Sequence, residues 1–114
     1  MAFDLRFDQA LEIWRHAMVT GVRRDESDLS ARQMAILLTV YLGEPPHTVR
    51  GLAAGLAISK PAVTRALDRL EALGLAARRK DDSDKRSVLV QRTVKGSVYL
   101  RDVAETIMEG ARRV

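Results

Sequence analysis

The chain has 114 residues, 46% of them hydrophobic and 30% charged, with a formal net charge of +4, two histidines and no cysteine. That length supplies one modest core and not two. The missing cysteines exclude disulfides, thiolate metal sites, thiol nucleophiles and cysteine redox sensing. His16 and His47 lie far apart, and no phosphate-binding glycine loop, dinucleotide fingerprint or nucleophile elbow is present. The expectation is a protein that is not an enzyme and that holds no cofactor and no metal. The longest nearly apolar run, Met34 to Leu42, is too short to span a bilayer. An N-terminus carrying Asp4 and Asp8 without an apolar stretch does not read as a signal peptide. A soluble, cytoplasmic single domain over 1–114 is expected.

The charge is concentrated. Ser59 to Arg92 hold nine basic groups against five acidic ones, which is the whole of the net +4, while the other eighty residues carry ten of each sign. Clustered Lys and Arg suit a polyanionic partner, because they replace phosphate-bound counterions.

In chain order, Phe7, Ala10, Leu11, Trp14, Ala17 and Met18 recur at helical spacing and predict a helix from about Phe7 to Val22, broken by the polar stretch Arg23 to Asp28. Ser30, with Gln33 three residues on, opens a second helix whose stripe is Met34, Leu37, Leu38 and Tyr41. Gly43 to His47, with Pro45 and Pro46, forms a loop. Thr48 caps a short helix to about Leu56, in which Gly51 and Gly55 are expected to let a neighbouring helix pack closely. After the turn at Ala57-Ile58, Ser59 caps another helix with Pro61 in its first turn. Val63, Ala66, Leu67, Leu70 and Leu73 form its buried stripe, and Gly74 ends it. Leu75 to Arg79 and Ser87 to Gln91 read as short strands joined by the charged loop Lys80 to Arg86. Thr93 caps a last helix to about Arg113, with Leu100, Val103, Ala104, Ile107, Met108 and Ala111 along one side.

Two short helices joined by a tight turn and followed by a hairpin make a winged helix-turn-helix. The fold class is therefore mainly α with a small β-hairpin wing. Residues 29–93 are expected to be the DNA-binding core, and the terminal helices, 1–28 and 94–114, to form a dimerisation region. With Val63, Ala66, Leu67 and Leu70 inward, the helix after the turn displays Pro61, Arg65 and Asp68, flanked by Thr64 and Arg69. Ser59 and Lys60 at its N-terminus suit phosphate, where free N–H groups and the helix dipole add to the positive charge. Arg65 suits the O6/N7 edge of guanine. Asp68 is expected to orient Arg65 or Lys60, or to accept from a cytosine amino group. Thr48 and Arg50, opening the helix before the turn, are assigned to the DNA backbone. In the wing, Arg78 and Arg79 add charge. Lys85 and Arg86 suit a narrow minor groove, with Asp84 holding the Arg86 fork.

The first and last helices carry longer apolar stripes than so small a core can cover, and exposed stripes seek partners. Phe7, Leu11, Trp14, Met18, Leu100, Val103, Ile107 and Ala111 are thus expected to build a homodimer. Trp14 reads as a packing anchor, and Phe3, Phe7, Tyr41 and Tyr99 as core or interface. His16 reads as surface or interface, and His47 as loop. Three other readings stay open: a winged-helix module that binds an acidic protein, an architectural DNA binder without sequence preference, and, weakest, a hard cation at Asp81, Asp82 and Asp84.

The sequence resembles the MarR family of winged helix-turn-helix regulators. The resembling residues are Leu29-Ser30 with Gln33, Thr48-Val49 with Leu52-Ala53, the run from Ile58 to Glu71 with Gly74-Leu75, Arg78-Arg79, Asp84-Lys85-Arg86, and Thr93 with Gly96, within Leu29 to Leu100. The resemblance implies a homodimer on a pseudo-palindromic operator, with recognition helices in successive major grooves, an Asp84-fixed Arg86 in the minor groove, and repression as the usual outcome. Two departures stand out. Arg92 occupies a position where the family usually has an apolar residue, and there is room for one terminal helix where members have two. Many relatives bind a small aromatic or phenolic effector, but no residue of this chain argues for one.

Overall fold

The computed structural model describes residues 4–114; Phe3 lies outside the described residues. The elements are α1 (Phe7–Arg23), α2 (Ala31–Leu42), β1 (His47–Thr48), α3 (Val49–Leu56), α4 (Lys60–Ala72), β2 (Ala76–Asp81), β3 (Asp84–Arg92) and α5 (Val94–Arg113).

Side chains expected to cap four helices do so. Ser30 Oγ accepts from Gln33 N at 3.1 Å while Gln33 Oε1 accepts from Ser30 N at 2.9 Å. Thr48 Oγ1 accepts from Gly51 N at 2.9 Å, Ser59 Oγ from Ala62 N at 3.2 Å, and Thr93 Oγ1 from Gly96 N at 2.9 Å. Each satisfies a donor that a helix N-terminus leaves open. Three helices end through a left-handed residue: Asp25 (φ 53°), Ala57 (φ 54°) and Gly74 (φ 77°). In each case the next N–H returns to a carbonyl five residues back: Glu26 to Gly21, Ile58 to Ala53, and Leu75 to Leu70.

The chain divides into two compact units, one of Leu29–Val98 and one of α1 with the chain from Tyr99 onward. In the first, the sheet has three antiparallel strands in the order β1-β3-β2, with His47 opposite Val90, Thr48 opposite Leu89 and Arg78 opposite Val90. Two expectations are corrected here. His47 is a strand residue and not loop, because the free edge of β3 gives the backbone after Pro46 partners that water would otherwise supply. The wing strands also run past the expected charged loop, leaving only Asp82-Ser83 between them. The Asp81 carboxylate accepts from Ser83 N at 3.0 Å and from its hydroxyl at 2.7 Å, which closes the turn without glycine. Those hydrogen bonds hold the Asp81 carboxyl below its ordinary pKa.

Ile36, Leu37, Val40, Val63, Leu67 and Leu70 are the fully buried centre, with Leu52, Leu75 and Val90 beside them. The α2 stripe is rotated from the expected one. Ile36 and Val40 join Leu37 inside, while Leu38 is 38% exposed. Apolar residues surround most of α2, so periodicity leaves its inward face open and packing decides it. Gly51 and Gly55 do not seat a helix. A Cβ at Gly55 would meet nothing within 4 Å and one at Gly51 only Thr48 Oγ1; both line a shallow groove of about 320 Å³ with Pro46 and His47. The close approach is instead at Gly96, where a Cβ would strike the Tyr41 hydroxyl and the Leu75 carbonyl. That hydroxyl donates to Thr93 O at 2.7 Å and accepts from Thr93 N at 2.8 Å, while Thr93 Oγ1 donates to Gly74 O at 2.7 Å.

In the other unit, α1 buries only Ala17. The α5 face turned inward carries Thr106 and Gly110, with Tyr99 and Val103 half-buried. On the same helix Ile107 and Met108 are exposed. The missing side chain at Gly110 admits Ile13 and His16 of α1 where a larger residue would hold them off. His16 Nε2 is buried without a hydrogen-bond partner, 3.7 Å from Glu109 Oε2. Burial raises the Tyr99 phenol pKa. Among the described residues no helix is long and apolar enough to cross a membrane, and no three acidic or histidine side chains, the Asp81 to Asp84 group included, gather to hold a metal.

Candidate nucleic-acid interface

The 13 residues of α4 sort cleanly by face. Ala62, Val63, Ala66, Leu67 and Leu70 are buried, whereas Lys60, Pro61, Thr64, Arg65, Asp68 and Arg69 are exposed. The sorting follows from the helical period, since alternating pairs of apolar and polar residues put each kind on its own side. Among the described residues Lys60, Arg65 and Arg69 enter no ion pair. Lys60 stands in solvent at the N-terminus of the helix, Arg65 in its second turn and Arg69 in its last turn. Ser59 spends its hydroxyl oxygen on the cap and keeps its O–H free to donate.

Before α4, Thr48 is half-buried, capping α3 and pairing in β1, and Arg50 is exposed on the first turn of α3. The left-handed Ala57 turns the chain from α3 into α4. The wing then carries Arg79 and Lys80 exposed near the end of β2 and Lys85 and Arg86 exposed at the start of β3. Four cations thus flank a two-residue tip.

Two expected side-chain roles are corrected by geometry. Asp68 orients neither Arg65 nor Lys60. Its Oδ1 accepts from Arg78 Nη2 at 2.7 Å, and the same nitrogen donates to Glu71 Oε1 at 3.1 Å. One turn of α4 separates Asp68 from Glu71, so their carboxylates share a face, and the turn at Gly74 returns β2 along that face. The bonds from Arg78 lower the Glu71 pKa, and the same pair, with Asp68, raises that of Arg78. The second correction concerns Asp84. Its carboxylate accepts from the Arg86 main-chain N–H at 3.0 Å but stands 3.9 Å from Arg86 Nε. It therefore shapes the backbone at the start of β3 and leaves the Arg86 fork in solvent, since an Asp side chain reaches the N–H two residues on more readily than a long guanidinium folds back.

Sequence reasoning left Glu71 out of the site. The signal was available in the two carboxylates three residues apart and a basic residue directly after the turn. On the terminal helices, Phe7 is 86% exposed, Trp14 55% and Val22 74%, with Leu11 and Met18 also open. On α5, Leu100, Val103 and Ala111 are half-buried and Ile107 is exposed.

The MarR family model matches residues 27–87. The chain is 33% identical over 88 residues to the HTH-type transcriptional regulator PecS of Dickeya dadantii, a match covering 75% of this chain and 53% of that protein. The chain thus spans about half the length of that relative. Among solved structures, a transcriptional regulator from Thermotoga maritima superposes with a TM-score of 0.65 at 27% identity, over 94% of this chain and 67% of the other. S. aureus MepR, in a complex with DNA, superposes with a TM-score of 0.74 at 22% identity, over 88% of this chain and 79% of the other, a likeness of fold.

Proposed function

The chain belongs to the MarR family, and on that premise we propose that it is a sequence-specific regulator of transcription that binds double-stranded DNA. In this reading it acts in the cytoplasm as a homodimeric repressor on a pseudo-palindromic operator. One observation carries the reading: the unpaired cations Lys60, Arg65 and Arg69 share the open face of α4, next to the cationic wing. A helix of that kind enters the major groove, and a ribbon beside it reaches the backbone or the minor groove.

Each residue then has a role. Ser59 and Lys60 hold phosphate at the α4 N-terminus, and Thr48 and Arg50 hold it from α3. Arg65, with Pro61, Thr64 and Arg69 around it, reads base edges, guanine first. Arg79, Lys85 and Arg86 follow the adjacent minor groove, where negative potential is highest. The terminal helices, residues 1–28 and 94–114, make the dimer. The open α1 stripe of Phe7, Leu11, Trp14 and Met18 supports this, because a stripe so apolar is covered in a stable assembly. A two-fold axis then spaces the α4 helices for half-sites about 34 Å apart.

Fluorescence anisotropy with a bound operator duplex tests the assignments. Arg65→Ala should cost roughly 1–3 kcal/mol and relax preference at one base position, whereas Lys60→Ala weakens all duplexes alike and lowers the salt slope by about 1. The same loss on every sequence from both variants contradicts these roles. Sedimentation at micromolar concentration should give the dimer mass, and Trp14→Glu the monomer.

A further inference from the structure

Arg78 differs from the other cations of the wing in being hydrogen-bonded to carboxylates of α4. Its Nη2 bridges Asp68 Oδ1 (2.7 Å) and Glu71 Oε1 (3.1 Å), and its main-chain N–H donates to Glu71 Oε2 at 2.9 Å. Its side chain is 24% exposed, against 88% for Arg86. Three bonds therefore run from one strand residue to one helix face, and two of them converge on a single nitrogen. Both charged partners lie on α4, on the side next to the exposed cations, and the strand they grip leads directly to Arg79, Lys80 and the tip.

We infer that Arg78 is a positioning residue of the DNA site: it locks the base of the wing to α4 and so fixes where the wing cations stand relative to the helix that reads the bases. The inference rests on the DNA-binding reading above. The chemistry favours a brace over a direct contact. A guanidinium held by two carboxylates offers phosphate little net charge, and pulling it away would leave Asp68 and Glu71 facing the DNA unpaired. A brace instead uses the two acids productively, because two groove contacts made by separate elements are strong only when their spacing is set before binding.

The sign of one experiment separates the two. Removing acidic groups beside a DNA-binding surface ordinarily tightens binding, since repulsion of phosphate falls. The brace requires the opposite. The double variant D68A/E71A keeps Arg78 and has two fewer negative charges, and Ala maintains the helix. It should bind the selected operator about ten-fold more weakly than wild type, the equivalent of one charge-assisted hydrogen bond. Preference should fade at the flanking positions the wing reads and persist at those read by α4. R78Q should show the same pattern, and the Arg78 amide should exchange faster with solvent in D68A/E71A than in wild type.

Wild-type affinity or tighter binding by D68A/E71A, with R78Q weakened, overturns the brace and makes Arg78 a phosphate contact. Equal loss of preference at every position, together with a lowered melting temperature in both variants, overturns it in favour of a purely structural pair. Wild-type protein that binds no duplex overturns the DNA reading itself, an outcome separate from either.

Discussion

Arg92 Nε donates to the main-chain oxygen of Val40 across 3.1 Å, tying the end of β3 to the last turn of α2. Its Nη2 reaches the Gly43 oxygen at 3.4 Å, and its guanidinium lies 5.8 Å from the centre of the Tyr41 ring. The last turn of α2 has no basic residue of its own. Arg92 supplies from 49 or more residues away the positive charge and donors that helix C-termini favour. A charged side chain at this position is therefore held by partners of its own. Replacing Arg92 with Leu, the apolar choice, should lower stability to urea by about 1–2 kcal/mol. Unchanged stability would show that the carbonyls are served equally well by water.

Two glycine substitutions should have opposite signs. Gly96→Ala drives a methyl group into the Tyr41 hydroxyl and the Leu75 carbonyl, and should destabilise by about 3 kcal/mol, since neither the half-buried, hydrogen-bonded ring nor the backbone can yield cheaply. Gly55→Ala enters open space on α3 and should stabilise by about 0.5–1 kcal/mol through helix propensity. Thermal melts of both variants check the pair. A Gly96→Ala protein as stable as wild type would contradict the packing at that junction.

Ala57 is a non-glycine residue with φ 54° at the turn between α3 and α4. Its Cβ is crowded there, so Ala57→Gly should raise stability by about 0.5–1 kcal/mol despite the greater freedom it gives the unfolded chain. A drop in the melting temperature would mean that the turn is relaxed as it stands.

The order of elements could be read from the sequence because its punctuation is local. Ser30, Thr48, Ser59 and Thr93 each precede a helix and cap it, and Gly74 ends one, without help from distant residues. The faces of α4 were equally clear, since its polar and apolar residues separate at the helical period. What escaped was decided at long range. β1 exists only because β3 offers an edge forty residues later, and the inward face of α2 was open among several apolar choices. The role of Asp68 depended on where the strand after Gly74 returned, so a pairing with the nearer Arg65 looked natural and was wrong.

Acid should loosen the hold on Arg78 in a defined window. The hydrogen bond from Arg78 lowers the Glu71 pKa from its ordinary 4.5. A depressed carboxylate pKa means that the stabilisation is complete above about pH 4.5 and is lost as pH falls through the lower folded-state value. Glu71→Gln should therefore be less stable than wild type at neutral pH, by at most about 1 kcal/mol because the carboxylate is open to solvent. The difference should shrink to nothing in strong acid. Urea titrations at a series of pH values give the comparison. A gap that widens on acidification would contradict the pairing.

Selection of bound duplexes from a random pool at physiological salt is the most direct test of what α4 and its wing are for. Enrichment of an inverted repeat is expected, with half-site centres about 10 base pairs apart and a guanine contacted in each half. A pool that stays random after repeated rounds, or binding lost as steeply for every sequence as salt rises, would contradict sequence-specific recognition by Arg65 and its neighbours.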